Sequence, residues 1–263
     1  MRTLKNTLFC PNPALGSDLN HSSYTISHPN PGIPLNHLRK ITFILCMLLT
    51  CWGCAEQNFN IKNIAKTDID MVTDVHFKEI NTSLKTLTVK LYKRNPRELK
   101  KKPGQSIEQR MEQIFSPSNS LVFEELDNRQ DIDAMLLCFD PEYRGDRVFA
   151  LMVGLTGMIR SSYNHRNEFY MFDFLDPQEL YNSARNLEIL VWRLSNKKNK
   201  TGELFLLTNG LENETVNLSF ERLFGKIVTI QDMLANLIGH MTNRTIIRMV
   251  RSVATSSFVP IGL

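Results

Sequence analysis

The sequence predicts an all-α protein: a single-domain bundle of about six or seven helices over residues 66 to 259, after an apolar leader and a polar tether. Three observations point there. Apolar residues recur at steps of three and four through most of the chain, the spacing that gathers them on one face of a helix. Helix start signals are frequent, whereas only "LVFEEL" and "ELFLLT" read as strands and no hairpin dipeptide joins two alternating runs. With 42% hydrophobic and 22% charged residues in 263, the chain can bury a full core.

Each element has a local reason. In "DIDMVTDVHFKEINTSLKTLTVKLYKRNP", Ile69, Val72, Ile80, Leu84, Leu87 and Leu91 define a helical face, with Asp68 as N-cap and Asn95-Pro96 as the stop. Pro96 can open another helix, because proline suits the first helical position. "SIEQ" is a capping box, Ser106 with Gln109, for a helix reaching Phe115. "DIDAMLLCF" and "DRVFALMVGLTGMIRSSY" are apolar nearly all round, as expected of helices at the centre of a core. "DPQE" opens a helix at Asp176 and Pro177 whose face is Leu180, Ala184, Leu187, Leu190, Val191 and Leu194. The last long segment has a periodic face of Phe220, Leu223, Ile227, Ile230, Leu234, Leu237 and Met241, with Gly239 as the place for a break.

The stretch "RKITFILCMLLTCWGCAEQ" sets location. Arg39 and Lys40 precede an apolar run that reaches 12 residues at Trp52, well short of the roughly 20 needed to cross a bilayer, and long enough for the apolar region of a secretory signal. Gly53 then precedes Cys54 and polar residues follow. This resembles a bacterial lipoprotein signal, in which the cysteine is lipidated and becomes the new N-terminus. The family favours Leu three places and a small residue two places before the cysteine, where this chain has Cys51 and Trp52; Cys51 itself, with Leu48 in place but Thr50 directly before it, is the rival acceptor. The resemblance implies a membrane anchor of several acyl chains, palmitate among them. Ala55, rather than the aspartate that retains such proteins at the inner membrane, implies the periplasmic face of the outer membrane. Residues 1 to 34 hold five of the 11 prolines and no apolar period, and read as a disordered leader ahead of the 35–53 signal and the 54–65 tether.

Charge and motifs restrict the chemistry. Four of the 31 basic and one of the 27 acidic residues precede Cys54, leaving a net charge of +1, too little to drive nucleic-acid binding by counterion release. Cys138, in "MLLCFD", has no second thiol to pair with once Cys54 is acylated, and reads as a buried hydrophobe. His76, His165 and His240 are far apart, and His76 with Glu79 is a single histidine-carboxylate pair, so neither metal nor cofactor is expected. No nucleophile elbow, Ser-x-x-Lys or Walker loop is present. Gly154 and Gly157, three apart on one helix, suit the close approach of another helix, with a small ligand cleft as the other reading.

Two stretches suit recognition. Arg160, Arg166, Tyr170, Phe172, Tyr181 and Arg185 belong to an aromatic-arginine segment of the kind that forms interaction hot spots. Lys93, Arg94, Arg97, Lys100, Lys101 and Lys102 form a cationic run suited to anionic headgroups or polymers. The "RNP" and "SARNLE" segments resemble helical lipoproteins of proteobacteria; that likeness spans most of residues 68 to 259 and supplies no catalytic residue. The expected protein is a lipid-anchored adaptor or assembly factor with an envelope protein partner, leaning away from an enzyme. A ligand carrier or enzyme with a helical pocket and an immunity-type lipoprotein are the alternatives. Translation is expected to start at Leu35 or Leu38; the mass of the unprocessed precursor should then lack residues 1 to 34, and a precursor that keeps them contradicts this start.

Overall fold

The computed structural model describes residues 40, 43, 66–116, 120–170, 173–209, 217–248 and 257–261. The chain divides into two compact units, Met1–Phe59 and Asn60–Leu263. In the first only residues 40 and 43 are described, both helical, so the signal, Cys51 and Cys54 lie outside the described residues, as do the tether and Phe172.

The second unit is built from seven α-helices among its described residues: α1 Asp68–Arg94, α2 Pro96–Lys100, α3 Ile107–Phe115, α4 Asp131–Leu137, α5 Arg147–Ser162, α6 Pro177–Asn196 and α7 Ser219–Thr242. The two strand-like stretches do not form a sheet. "LVFEEL" ends in a 3-10 turn, Glu124–Leu126, that buries Leu126, and "ELFLLT" contributes one isolated bridge, Lys198 to Leu204. The all-α bundle is therefore the fold.

Helix α5 is its axis. Of its 16 residues all but Arg160 are buried, and α1, α2, α3, α4 and α6 pack around it. Helix α7 closes the bundle against α6 on one flank and α1 on the other. The two α5 glycines admit α4: a Cβ at Gly154 would lie 2.7 Å from the Met135 Cα, and one at Gly157 would collide with the Asp131 carboxylate. The close-approach reading of this pair therefore holds, and α4 fills the space a ligand cleft would need.

Local signals place most boundaries. Ser106 accepts a hydrogen bond from Gln109 N–H at 3.2 Å while the Gln109 side chain accepts one from Ser106 N–H at 2.8 Å, closing the predicted capping box. Asp176 caps α6 through Gln178 N–H with Pro177 first in the helix. Helix α1 starts one residue earlier than expected. Its cap is Thr67, because Thr67 and Asp70 form a reciprocal capping box that leaves Asp68 inside the first turn. Helix α7 runs through Gly239 without a break.

Two helices are rotated from their expected faces, for the same reason. In α1 the buried positions are Thr73, Phe77, Ile80, Leu84, Leu87 and Leu91, so Val72 turns outward with 37% of its surface exposed. In α7 they are Phe220, Phe224, Ile227, Gln231, Leu234, Ala235 and Ile238, and the expected Leu237 and Met241 are exposed by 39% and 58%. A polar residue holds a core position in each case, and an apolar neighbour is displaced to the rim.

Gln231 can be buried because its amide is satisfied on both sides. Its Nε2 donates to Ser183 Oγ at 2.6 Å and Ser162 Oγ at 3.2 Å, and its Oε1 accepts from the Tyr163 hydroxyl at 2.8 Å. The two serines pass their own protons to the Leu180 and Ile159 carbonyls. One glutamine thereby joins α5, α6 and α7. Gln231→Leu keeps the volume and strands the Tyr163 hydroxyl, at about 1–3 kcal/mol. The urea midpoint should fall with an unchanged slope; an unchanged midpoint would show that this network does not hold the helices together.

Candidate interaction surfaces

The ends of α5 gather the buried charge. Asp146 is its N-cap, accepting from Phe149 N–H at 2.9 Å, and its other oxygen accepts from the Tyr92 hydroxyl at 2.9 Å. Arg110, wholly buried, lies 3.4 Å from the same Asp146 oxygen, 3.9 Å over the Phe149 ring, and on the Glu125 carboxylate. Burial pushes the Asp146 carboxyl and the Tyr92 phenol above their ordinary values. Beside them Arg147 donates to the Leu137, Cys138, Asp140 and Tyr143 carbonyls at 2.7–3.2 Å, closing the C-terminal end of α4, while its backbone N–H donates to the buried Glu98 at 2.9 Å. Every part of this cluster is committed to packing helices.

Other titratable candidates are also structural. Cys138 is fully buried, and burial pushes its thiol far above the range of a reactive cysteine. Glu79 pairs with Lys226 of α7 rather than with His76. Burial lowers the His76 pKa, and its Nδ1 is shut off from water without a hydrogen-bond partner. Among the described residues no three His, Cys, Asp or Glu side chains form a group that could hold a metal, and no helix is long and apolar enough to cross a membrane.

The aromatic-arginine segment is divided between two places. Arg160 lines a cleft of about 430 Å³ with Asp74, Phe77, Lys85, Phe115 and Glu168 at the start of α1. Tyr170 stands beside it, its hydroxyl 2.5 Å from Glu168 and its ring 4.9 Å under the Lys66 ammonium, while Arg166 is paired with Asp173 at 2.8 Å. Tyr181 and Arg185 lie on α6. The Arg185 guanidinium sits 4.9 Å over the Tyr181 ring and pairs with Glu188 at 3.2 Å and with Asp232 of α7 at 2.5 Å. Arg185 therefore clamps α6 to α7, and the segment does not assemble into one surface.

The cationic run is divided as well. Arg97 and Lys101 turn to Glu98, at 3.5 Å and 2.6 Å, beside a cleft of about 390 Å³ where Glu142 and Glu203 alternate with Arg144 and Lys200. Lys93, Lys100 and Lys102 border a different cleft, of about 520 Å³, floored by Tyr92, Pro96, Leu99, Pro103 and Ile107. Arg94 lines neither. Both clefts lie at the C-terminal end of α1, whose 27 residues span about 40 Å, so the run is a helix length away from where the tether joins.

A surface absent from the expected sites lies along the α1–α7 seam. Lys226 to Glu79 and Lys90 to Ser219 cross this seam, while Asp232 marks the opposite flank of α7. Steps of three and four from Lys226 put Ile230, Met233, Leu237 and Met241 on the α1 side, and Val72 shares the flank of Glu79. Met233, Leu237 and Met241 are exposed, as is Phe174, which joins Ile69 and Met241 around a cleft of about 200 Å³ at the tether end. An exposed apolar rim is the kind of surface on which proteins recognise one another. Its sequence signal is the i, i+4, i+8 run of Met233, Leu237 and Met241, legible only once Gln231 is known to point inward.

No protein-family model matches the chain, and neither do the characterised proteins or the solved structures.

Two outcomes follow for the buried groups. Arg110→Ala leaves Asp146 uncompensated and should cost about 3–5 kcal/mol in urea unfolding, with part recovered by adding Asp146→Asn. His76 has a folded-state pKa below its unfolded value, so its contribution is complete above about pH 6.5 and is lost as pH falls through the folded value. His76→Gln should therefore lose less stability than wild type between pH 7.5 and pH 5.

Proposed function

We propose that this chain is a lipid-anchored adaptor of a bacterial envelope complex, held through acylated Cys54 at the periplasmic face of the outer membrane, with the α1–α7 seam turned to a protein partner. The observation that carries the reading is the seam itself: Val72, Met233, Leu237 and Met241 expose apolar surface along two long helices, and Phe174 extends it beside Ile69 and Met241. Methionine suits such a surface, because its flexible thioether conforms to a partner's side chains. The anchor rests on the lipobox-like sequence before Cys54 and on the polar stretch after it. Twelve residues from Cys54 to Ala65 reach at most about 40 Å, so an anchored domain stays within one domain length of the bilayer. The resemblance of "RNP" and "SARNLE" to proteobacterial helical lipoproteins agrees with this reading.

Intact mass of the membrane-extracted protein tests the anchor. The wild type should begin at Cys54 with acyl additions and Cys54→Ala should remain a precursor; a wild-type mass that keeps residues 35 to 53 without acylation removes the lipoprotein reading. A photo-crosslinking side chain at Leu237 tests the seam against one at Thr82, on the solvent face of α1. Position 237 should give one discrete protein adduct in intact cells and position 82 none; equal adducts at both would refute a specific face.

A further inference from the structure

We infer that the cleft between the end of α1, α2 and the start of α3 binds an acidic peptide segment that carries an apolar side chain. Three lysines and no carboxylate line it. Lys93 and Lys100 are exposed and form no ion pair among the described residues, and Lys102 is only loosely paired, 3.6 Å from Glu125. The neighbouring cleft is different, since there Glu98, Glu142 and Glu203 stand among the basic side chains, Glu98 pairing with Arg97 and Lys101 and Glu142 with Lys200. Uncompensated like charges around a concave site raise the local concentration of anions and favour their capture.

The floor selects among anions. Pro96, Leu99 and Ile107 give it an apolar base over the buried Tyr92, so a ligand gains from an apolar group as well as from negative charge. The site is stiff: Pro96 fixes the corner between α1 and α2, and Pro103-Gly104 turns the chain into α3 with Gly104 at φ +81°. Stiff walls lower the ordering cost of binding. Gln105 borders the cleft with its side-chain oxygen shielded from water and without a hydrogen-bond partner. A peptide brings a row of backbone N–H donors that can satisfy this acceptor once the side chain turns to the cleft.

Position argues in the same direction. The cleft sits a full length of α1, about 40 Å, from Thr67 at the start of that helix, so it is a site separate from the apolar seam residues Val72 and Met241 near that start. The Tyr92 ring is buried and offers no stacking face to a nucleic-acid base. The inference extends the adaptor reading by giving it a second contact, yet peptide capture needs neither the anchor nor the seam.

The test is fluorescence anisotropy with the full chain in mild detergent and a fluorescein-labelled eight-residue peptide of alternating glutamate and leucine. Binding should be micromolar or weaker and should fall at least tenfold in Lys93→Glu/Lys100→Glu. It should fall similarly when serine replaces leucine or lysine replaces glutamate in the peptide. Leu237→Ser should leave it unchanged, which separates this site from the seam. Lys93→Ala/Lys100→Ala, with an unfolding midpoint matching wild type, should lose affinity in the same direction. Binding that survives the lysine substitutions, or that is equal for the lysine peptide, overturns the inference. So does displacement of the peptide by dioctanoyl phosphatidylglycerol at concentrations equal to or below those needed of unlabelled peptide, which would assign the cleft to lipid headgroups.

Discussion

Burial of α5 at every residue but Arg160 is the constraint on which the rest of the molecule depends. A helix in water satisfies its terminal N–H and C=O groups with solvent, but one enclosed by five others cannot. The chain answers with polar groups fixed at each end. At the N-terminal end Asp146 caps the helix and is itself held by Tyr92 and Arg110, while Arg147 and Glu98 tie in the end of α4 and the α2 turn. At the C-terminal end Ser162 and Tyr163 meet Gln231. Each of the other helices except α7 touches α5 directly, and α7 reaches it through Gln231. The two buried polar clusters therefore exist because the central helix is apolar on every side.

This explains which parts of the fold could be read in the sequence. Helix starts were legible because a cap is made from residues two or three apart: "SIEQ" closes as a capping box, Asp176 of "DPQE" caps through Gln178 N–H, and Thr67 with Asp70 differs from the expected cap by one position. The central helices were legible from unbroken apolarity, and Gly154 and Gly157 from their spacing. Helix faces were misread where a polar residue stands in the core beside an apolar one that does not. Thr73 and Gln231 are polar residues at core positions, so a pattern built on hydrophobicity slides by one and assigns Val72, Leu237 and Met241 to the interior.

The functional surfaces were less legible for a related reason. Arg110, the anchor of the N-terminal cluster, carries no local signal, because its partners Glu125 and Asp146 are brought to it by the fold. Arg166 and Arg185 look like hot-spot residues in one dimension and are spent on Asp173 and Asp232 in three. The cationic run was visible as a run, but alternation along α2 sends Arg97 and Lys101 to Glu98 and leaves Lys93, Lys100 and Lys102 around the apolar floor. What emerges is a domain with α1 as a spacer, an apolar rim extending to the tether end and a lysine-lined cleft at the other.

Native-state hydrogen exchange would test the role of α5 most directly. If the central helix organises the bundle, its amides from Ala150 to Ser162 should exchange only through global unfolding, with the protection of that event, and Arg110→Ala should lower their protection together with that of α4 and α6. Exchange of α5 amides by local opening, at free energies below those of α1 or α6, would contradict the account.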